Sequence, residues 1–214
     1  MGKVCVVTGA SQGIGRAAAV RMSREVDVDA LVLIARNAGG LDGTAGEITA
    51  EGKRVEIIPY DLTDLDGIPT LVKRIHDDYG SIDILLNIAG YADPQSLLDT
   101  STENIVQTYT INVFAMLILI RETARYMIDR PAKILNVAST AGITSRPGWL
   151  AYASSKAASC RSRRRSLMSS QGAASRSTRS RPVAPPRNCV ASSHPRRTRP
   201  RSCSPARSPT SSRS

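Results

Sequence analysis

The sequence has few aromatic residues, and its cysteines are not spaced as partners. One tryptophan and one phenylalanine occur in 214 residues, and three of the four cysteines lie after residue 159 without metal-ligand spacing. Cys5 stands alone in an apolar run, so we expect neither a disulfide framework nor a metal site, and we predict a cytoplasmic protein. The longest apolar run, 113–120, is far shorter than the roughly 18 residues of a membrane span. A strand pattern by Val4 leaves no room for a signal peptide.

Acidic residues are missing from the last quarter of the chain. All 18 Asp and Glu lie at or before Asp129, whereas residues 159–214 contain 14 Arg and no Lys. Residues 1–158 hold 15 basic and 18 acidic side chains, so the net charge of +11 arises from the end of the chain. The positive charge therefore does not argue for nucleic-acid binding by residues 1–158.

Strand and helix patterns alternate through the first three quarters of the chain. Short apolar, β-branched runs predict strands, and stretches of helical periodicity lie between them. The predicted strands are 3–8, 30–35, 55–60, 82–90 with its exit loop, and 133–139, and the predicted helices are 14–25, 41–52, 66–79, 102–128 and one from Tyr152. This order predicts an α/β domain of the Rossmann type, with a doubly wound parallel sheet truncated to about five strands.

The helical pattern is lost at Ser159, so we expect the domain to span residues 1–158. Arg, Ser and Pro supply 37 of the final 56 residues, a composition that cannot bury enough apolar surface to fold. Residues 159–214 are therefore predicted to be a disordered tail.

A glycine-rich turn, Thr-Gly-Ala-Ser-Gln-Gly-Ile-Gly, follows the first predicted strand. Such a turn lets backbone N–H groups approach a pyrophosphate at the N-terminus of the next helix. The spacing GxxxGxG differs from the GxGxxG of other dinucleotide folds, and an ordinary tight turn is the alternative. The residues predicted to bind a cofactor here are Thr8, Gly9, Ser11, Gln12, Gly13, Ile14 and Gly15.

The second predicted strand ends at Ala35 and is followed by Arg36, with no acid at this point. An acid here would bind the ribose 2′-hydroxyl of NAD, whereas a guanidinium suits the 2′-phosphate of NADP. Arg36 therefore predicts NADP, with NAD as the alternative cofactor. A solvated surface arginine is the competing interpretation.

Three residues in the last part of the domain suggest proton transfer. Tyr152 and Lys156 are four apart, which places them on one face of a helix. A neighbouring ammonium favours the phenolate, so Tyr152 can exchange a proton with a substrate oxygen. Ser139 follows the fifth strand, at the edge where ligands bind, and its hydroxyl can hydrogen-bond the same oxygen. Without this context, Tyr and Lys at this spacing would be an ordinary surface pair.

Two further motifs are Asn-Ile-Ala-Gly at 87–90 and Asn112 in Thr-Ile-Asn-Val. Together with those above, they resemble in order and spacing the motifs of the short-chain dehydrogenase/reductase family over residues 3–158. The resemblance implies hydride transfer between a nicotinamide cofactor and a carbonyl or alcohol substrate. It implies that Asn112, Ser139, Tyr152 and Lys156 form the catalytic tetrad, in which Asn112 holds a relay water and Lys156 also binds the nicotinamide ribose. The further cofactor-binding residues that it implies are Asp61, Leu62, Asn87, Ala89 and Gly90, with Ile88 as a departure from the family motif.

The resemblance also implies a small-molecule substrate and a homo-oligomer, a dimer or tetramer, with no membrane or specific nucleic-acid partner. The substrate is not indicated, but its pocket is expected at residues 91–99 and 143–150, around Trp149. Two alternatives stay open. One is an inactive nucleotide-binding remnant, and the other is a protein that binds nucleic acid through its basic tail.

The family pattern stops soon after Lys156. Family members continue with Leu-Ala-x-Glu-Leu and then Val-Asn-x-Val-x-Pro-Gly. Codons read one base out of register permit these strings from residues 165–170 and 176–183. We therefore interpret residues 159–214 as out-of-frame translation, and we predict that the chain as given lacks two family strands, is poorly stable and is inactive. A genuine basic tail is the alternative.

Overall fold

A computed structural model of the chain describes residues 2–128, 130–144 and 147–166, with side chains to residue 160. The predictions that concern residues 167–214 lie outside this range.

The described residues form alternating strands and helices. The strands are β1 (Lys3–Thr8), β2 (Val28–Ala35), β3 (Arg54–Pro59), β4 (Ile84–Asn87) and β5 (Lys133–Asn136). The helices are α1 (Gly13–Ser23), α2 (Ala38–Thr49), α3 (Ile68–Tyr79), α4 (Thr102–Tyr109), α5 (Met116–Arg125) and α6 (Leu150–Ser166). A π-helical turn, Thr110–Ala115, joins α4 to α5, and a 3-10 turn, Thr140–Gly142, follows β5.

The strands form a parallel five-stranded sheet in the order β3-β2-β1-β4-β5. Val6 of β1 lies opposite Val32 on one side and Leu85 on the other. The strand order reverses between β1 and β4, and in open α/β sheets this switch point creates a crevice at the carboxyl ends of the strands. The predicted doubly wound fold with about five strands is confirmed.

Alternate side chains of each strand enter two separate cores. Val6 of β1 packs in one core with residues of α3 and α5, such as Ile75 and Leu119. Cys5 packs in the other core with residues of α1 and α2, and its burial raises the pKa of the thiol to about 12. Strands covered on both faces are apolar throughout, which is why continuous apolar runs predicted them correctly.

The helix predicted over 102–128 is interrupted. The π-helical turn widens the backbone around Asn112, whose side chain is buried. By length and a mean hydropathy of 1.3, the continuous stretch Thr102–Arg125 could cross a membrane, but 44% of that window is buried inside the domain. Since this stretch contributes Ala115 and Leu119 to the core, we interpret it as a core helix.

The last helix runs further than the sequence pattern predicted. The expected loss of helix at Ser159 is wrong, because α6 continues to Ser166. The predicted domain limit at residue 158 lies within α6 and stays a prediction. Ser159 is buried, and its Oγ donates to the backbone O of Asn112 at 2.9 Å. This hydrogen bond supports the helix without an apolar side chain at position 159, and Ala and Arg along α6 are good helix formers.

Candidate active site

The turn between β1 and α1 is built for close backbone approach. Gly9 has φ +72°, and a Cβ there would lie 2.8 Å from Ala89 N. A Cβ at Gly15 would lie 2.0 Å from the carbonyl O of Gly9, so the turn closes only with glycine at both positions. Gln12 does not cap α1 with its side chain, which leaves the first N–H groups of the helix available to an anion.

A cleft of about 820 Å³ connects this turn with α6. Many of the predicted site residues line this cleft: Gly9, Ser11, Gln12, Gly13, Ile14, Gly15, Arg36, Asp61, Leu62, Ala89, Gly90, Tyr152 and Lys156. Ala35, which precedes Arg36, also lines it, as do Tyr91 and Ala92, which belong to the segment 91–99 predicted for the substrate pocket. Lining residues not assigned from the sequence are Asn37, Tyr60, Ile88, Ile111 and Val137. Most of these adjoin a predicted residue at a strand end, and that neighbourhood is the signal that could have indicated them.

Thr8 and Asn87 lie beneath the cleft and do not line it. Thr8 is buried, and its Oγ1 accepts hydrogen bonds from Ile88 N at 3.1 Å and Ala89 N at 3.2 Å. Asn87 is also buried, and its Nδ2 donates to Asn136 Oδ1 at 2.9 Å. Both residues were predicted as cofactor contacts. That assignment stays a prediction; in the described structure their hydrogen bonds join the ends of β1, β4 and β5 and fix the loop that follows β4.

Arg36 and Asp61 lie at the ends of β2 and β3, where the cleft is open to solvent. Asp61 Oδ1 accepts a hydrogen bond from Thr63 N at 2.9 Å, and that bond is the main reason that the pKa of this carboxyl is lowered. The Arg36 guanidinium lowers it further. The Arg36 side chain is exposed, so a ligand in the cleft can reach it.

Asn112 holds a loop and a helix together from its position in the π-helical turn. Its Oδ1 accepts from Tyr91 N at 2.8 Å, and its Nδ2 donates to Tyr91 O at 2.8 Å and Ser155 Oγ at 3.0 Å. The amide therefore fixes the backbone of Tyr91, which lines the cleft, against α6.

Lys156 extends along the cleft with a desolvated ammonium group. The residue is only 5% exposed, its Nζ donates to Val137 O at 3.2 Å, and burial lowers its pKa. The Nζ lies 5.8 Å from the centre of the Tyr152 ring. A Cβ at Gly90 would lie 3.3 Å from Asn112 Oδ1 and 3.5 Å from Lys156 Nζ. The Asn112 amide and the Lys156 ammonium therefore occupy the space into which a side chain at position 90 would project.

Ser139 begins the 3-10 turn beside α6 and does not line the cleft. Its Oγ accepts from Ala141 N at 3.2 Å and caps that turn. A Cβ at Gly142 would lie 2.8 Å from Ala157 N, so the turn carrying Ser139 packs directly on the α6 backbone. Gly142 was not assigned from the sequence, because its contact is with a residue far along the chain.

Comparisons with known proteins agree with this arrangement. A family model described as short chain dehydrogenase matches residues 3–168. The 2,3-dihydro-2,3-dihydroxybenzoate dehydrogenase of Bacillus subtilis (strain 168) is 34% identical over 158 residues, which are 73% of this chain and 60% of that protein.

Solved structures of short-chain dehydrogenases are also similar to this chain. A short chain dehydrogenase/reductase from Burkholderia phymatum in complex with NAD has a TM-score of 0.77 and 27% identity, over 83% of this chain and 64% of that one. A metagenomic short-chain oxidoreductase in complex with NADP has a TM-score of 0.73 and 30% identity, over 78% of this chain and 75% of that one. The chain spans between 52% and 63% of the length of the curated relatives it matches.

Proposed function

Since the chain belongs to the short-chain dehydrogenase/reductase family, we propose that it is an oxidoreductase that transfers hydride between a nicotinamide dinucleotide and a small carbonyl or alcohol substrate. The observation that carries the proposal is a single cleft lined by the glycine-rich turn and, elsewhere along its wall, by Tyr152 and Lys156. A cofactor bound at the turn would thus share one cavity with a proton donor.

The residues of the cleft fit a dinucleotide. The backbone of residues 13–15, at the start of α1, offers uncapped N–H groups for a pyrophosphate, and nothing lies within 4 Å of a Cβ placed on Gly13, so this part of the turn is open. Asp61 and Leu62 would hold the adenine end, and Ala89 and Gly90 the middle of the cofactor. The nicotinamide, when bound, supplies or accepts the hydride.

We propose NADP over NAD as the cofactor. Solved structures of the family contain either one. In this chain β2 ends in Ala35 and Arg36 with no acid, and Arg36 is exposed on the cleft. A guanidinium can donate two parallel hydrogen bonds to a ribose 2′-phosphate, whereas the 2′-hydroxyl of NAD cannot accept such a pair.

The proposed acid/base is Tyr152, whose hydroxyl gives a proton to the substrate oxygen during carbonyl reduction and takes it back during alcohol oxidation. Lys156 contributes a buried ammonium whose Nζ lies 5.8 Å from the centre of the Tyr152 ring. Ser139 Oγ is an acceptor in its bond with Ala141 N, so its own O–H can be donated to the substrate oxygen. Asn112 keeps the Tyr91 backbone against α6, and the relay water that the resemblance implies remains part of the proposal.

The test compares the chain with its Tyr152→Phe variant for carbonyl-dependent oxidation of NADPH. Loss of the transferable proton should reduce turnover by about 10²-fold or more while the affinity for NADPH stays within twofold. Tyr60→Phe is the matched control, because it removes a hydroxyl from another part of the same cleft that donates to Asp64 O. If Tyr152→Phe retains full turnover, another group is the acid/base.

A nucleotide-binding remnant without catalysis is the second candidate. It is favoured by the coverage of at most 63% of the first curated relatives' length. Nucleotide binding by the full chain without turnover of any carbonyl would support this candidate and exclude the first.

We also propose a cytoplasmic homo-oligomer, a dimer or tetramer. Apolar side chains at Val106, Phe114 and Leu117 are exposed along α4, the π-helical turn and α5. Their burial by a second copy would remove apolar surface from water. Light scattering coupled to gel filtration measures the state, and Leu117→Glu should shift it toward monomer.

A further inference from the structure

Helix α2 is joined to the glycine-rich turn by a hydroxyl that lies outside the cleft. Thr44 is fully buried, and its Oγ1 donates to Ala10 O at 2.9 Å, with Gly40 O also in reach at 3.1 Å. On the strand side, Gly9 N and Ala10 N both donate to Ile34 O near the end of β2, at 2.8 and 3.4 Å. Residue 10 of the turn is therefore held by both β2 and α2.

A steric contact fixes the next residue of the turn. A Cβ on Gly40 would lie 2.8 Å from Ser11 O and 2.9 Å from Ser11 Cβ, so the first turn of α2 packs directly on Ser11. The neighbouring Gly39 is under no such constraint, because a Cβ there would be in ordinary contact with Asn37 Oδ1 at 3.8 Å. Ser11 lines the cleft, whereas Thr44 and Gly40 do not. The cleft wall at Ser11 is thus supported from behind by α2.

The sequence of α2 makes these contacts necessary. Four of its twelve residues are glycine, which has the lowest helix propensity of any residue except proline. Leu41 and Ile48 bury the helix in the core, but apolar burial has no preferred direction. The Thr44 hydroxyl and the close approach at Gly40 supply the directional contacts between α2 and the turn.

The hydrogen bond from Thr44 also sets the direction of one peptide group. In a trans peptide, the C=O and the N–H that follows it point to opposite sides. Because Ala10 O is turned toward Thr44, the N–H of Ser11 is turned away from α2. A backbone N–H in this part of the turn is the kind of donor that binds phosphate oxygens.

We propose that Thr44 is a positioning residue for the cofactor. It acts through Ala10 O, without touching the nucleotide, and it orients the Ser11 N–H toward the ribose and phosphate oxygens. The inference rests on the proposed function. Without the hydroxyl, Ala10 O would be buried without this donor, and the peptide would turn toward another partner. Nucleotide binding would then have to reorder residues 10 and 11, which lowers the affinity.

The test measures the dissociation constants of the full chain for NADPH and NADH from the emission of the bound nucleotide. Thr44→Val keeps the shape of the side chain without its hydroxyl, and it should raise both constants by about tenfold or more. Thr44→Ser restores the hydroxyl and should return both constants close to the wild-type values. Thr49→Val is the matched control, because Thr49 Oγ1 donates within α2, to Ala45 O at 2.8 Å, and both constants should stay unchanged.

A pair of glycine variants tests the same contact while the hydroxyl is kept. Gly40→Ala must displace Ser11 or lift the first turn of α2, so it should raise both dissociation constants severalfold. Gly39→Ala gives α2 the same gain in helix propensity without the contact with Ser11, so both constants should stay unchanged.

All constants are measured at a temperature where circular dichroism shows every variant to be folded, so that a loss of stability alone does not alter them. Equal constants for Thr44→Val and Thr49→Val would overturn the inference and leave the proposed function intact, as would a Thr44→Ser variant that does not recover affinity. Should Thr44→Val fail to fold, a Gly40→Ala variant that binds as tightly as Gly39→Ala would overturn the inference. Absence of nucleotide binding by the wild-type chain would overturn both the inference and the proposed function.

Discussion

Ser159 donates its hydroxyl to the backbone O of Asn112 across 2.9 Å, and both residues are buried. Asn112 lies in the π-helical turn, and its side chain in turn holds both backbone groups of Tyr91. A residue that the sequence pattern placed in the tail thus connects α6 to Asn112, which holds the backbone of the cleft-lining Tyr91.

Removal of this hydroxyl should cost more stability than removal of one that bonds only within α6. The Ser159 hydroxyl has two acceptors within reach, Asn112 O at 2.9 Å and Ser155 O at 3.0 Å, so Ser159→Ala removes the contact with Asn112 as well as one within α6, and we expect the free energy of unfolding to fall by about 1–3 kcal/mol. Ser154→Ala is the matched control, because Ser154 bonds only the preceding turn of α6 and should cost less than about 0.5 kcal/mol. Urea unfolding measures both. Equal losses would mean that the contact with Asn112 contributes nothing of its own.

Arg36→Ala should weaken NADP much more than NAD. Loss of a charge-assisted pair of hydrogen bonds of about 1.5–3 kcal/mol corresponds to roughly 10- to 100-fold in Kd. The affinity for NAD should change less than threefold. Arg21→Ala, an exposed arginine paired with Glu25 at the end of α1, controls for general charge. Titration calorimetry measures the Kd of each nucleotide for the three proteins. Equal affinity of wild type for NADP and NAD would contradict the NADP preference.

Gly142→Ala should displace the Ser139 turn from α6. The new Cβ would lie 2.8 Å from backbone atoms of Lys156 and Ala157, which cannot move without shifting the helix. We expect a loss of about 1–3 kcal/mol in stability, together with a fall in kcat. Gly46→Ala in α2, where nothing lies within 4 Å, should be neutral or stabilising by up to about 1 kcal/mol. Thermal unfolding measures both variants, and an equal Tm would show that the close approach of Gly142 to α6 does not affect stability.

The buried ammonium of Lys156 should make stability depend on alkaline pH in a defined direction. Burial lowers the pKa of Lys156 below its ordinary value of 10.5, so folding is penalised while the group is charged. This penalty is fully present below the folded-state pKa and is relieved as pH rises from there through 10.5. The Tm of wild type minus that of Lys156→Met should therefore increase over this window. A constant or decreasing difference would contradict the assignment.

The chain as given should be less stable than one whose reading frame is corrected after residue 158. Among the described strands, β5 pairs with β4 alone, so its other edge is unpaired there and can template aggregation. Light scattering during thermal unfolding compares the two proteins. Equal solubility and equal NADPH-dependent activity would make the basic segment a genuine part of the protein.

The main lines of the fold could be predicted from the sequence because its strands are buried on both faces. Runs such as residues 30–35 are apolar throughout, and turns with glycine separate them from helices. The π-helical turn could not be predicted in this way. Residues 111–120 are apolar around nearly the whole helix, so one extra residue in a turn leaves no break in the periodicity.

For the site, the sequence by itself determined which groups are present: a glycine turn before a helix, Arg36 after β2, and Tyr152 and Lys156 one helical turn apart. These are local relationships, and local spacing suffices to state them. Only the tertiary structure decided that Thr8 and Asn87 hydrogen-bond across the ends of the strands, and that Ser159 bonds Asn112. The reason is physical: each of these hydrogen bonds joins residues 47 or more positions apart, and no local pattern encodes such a contact.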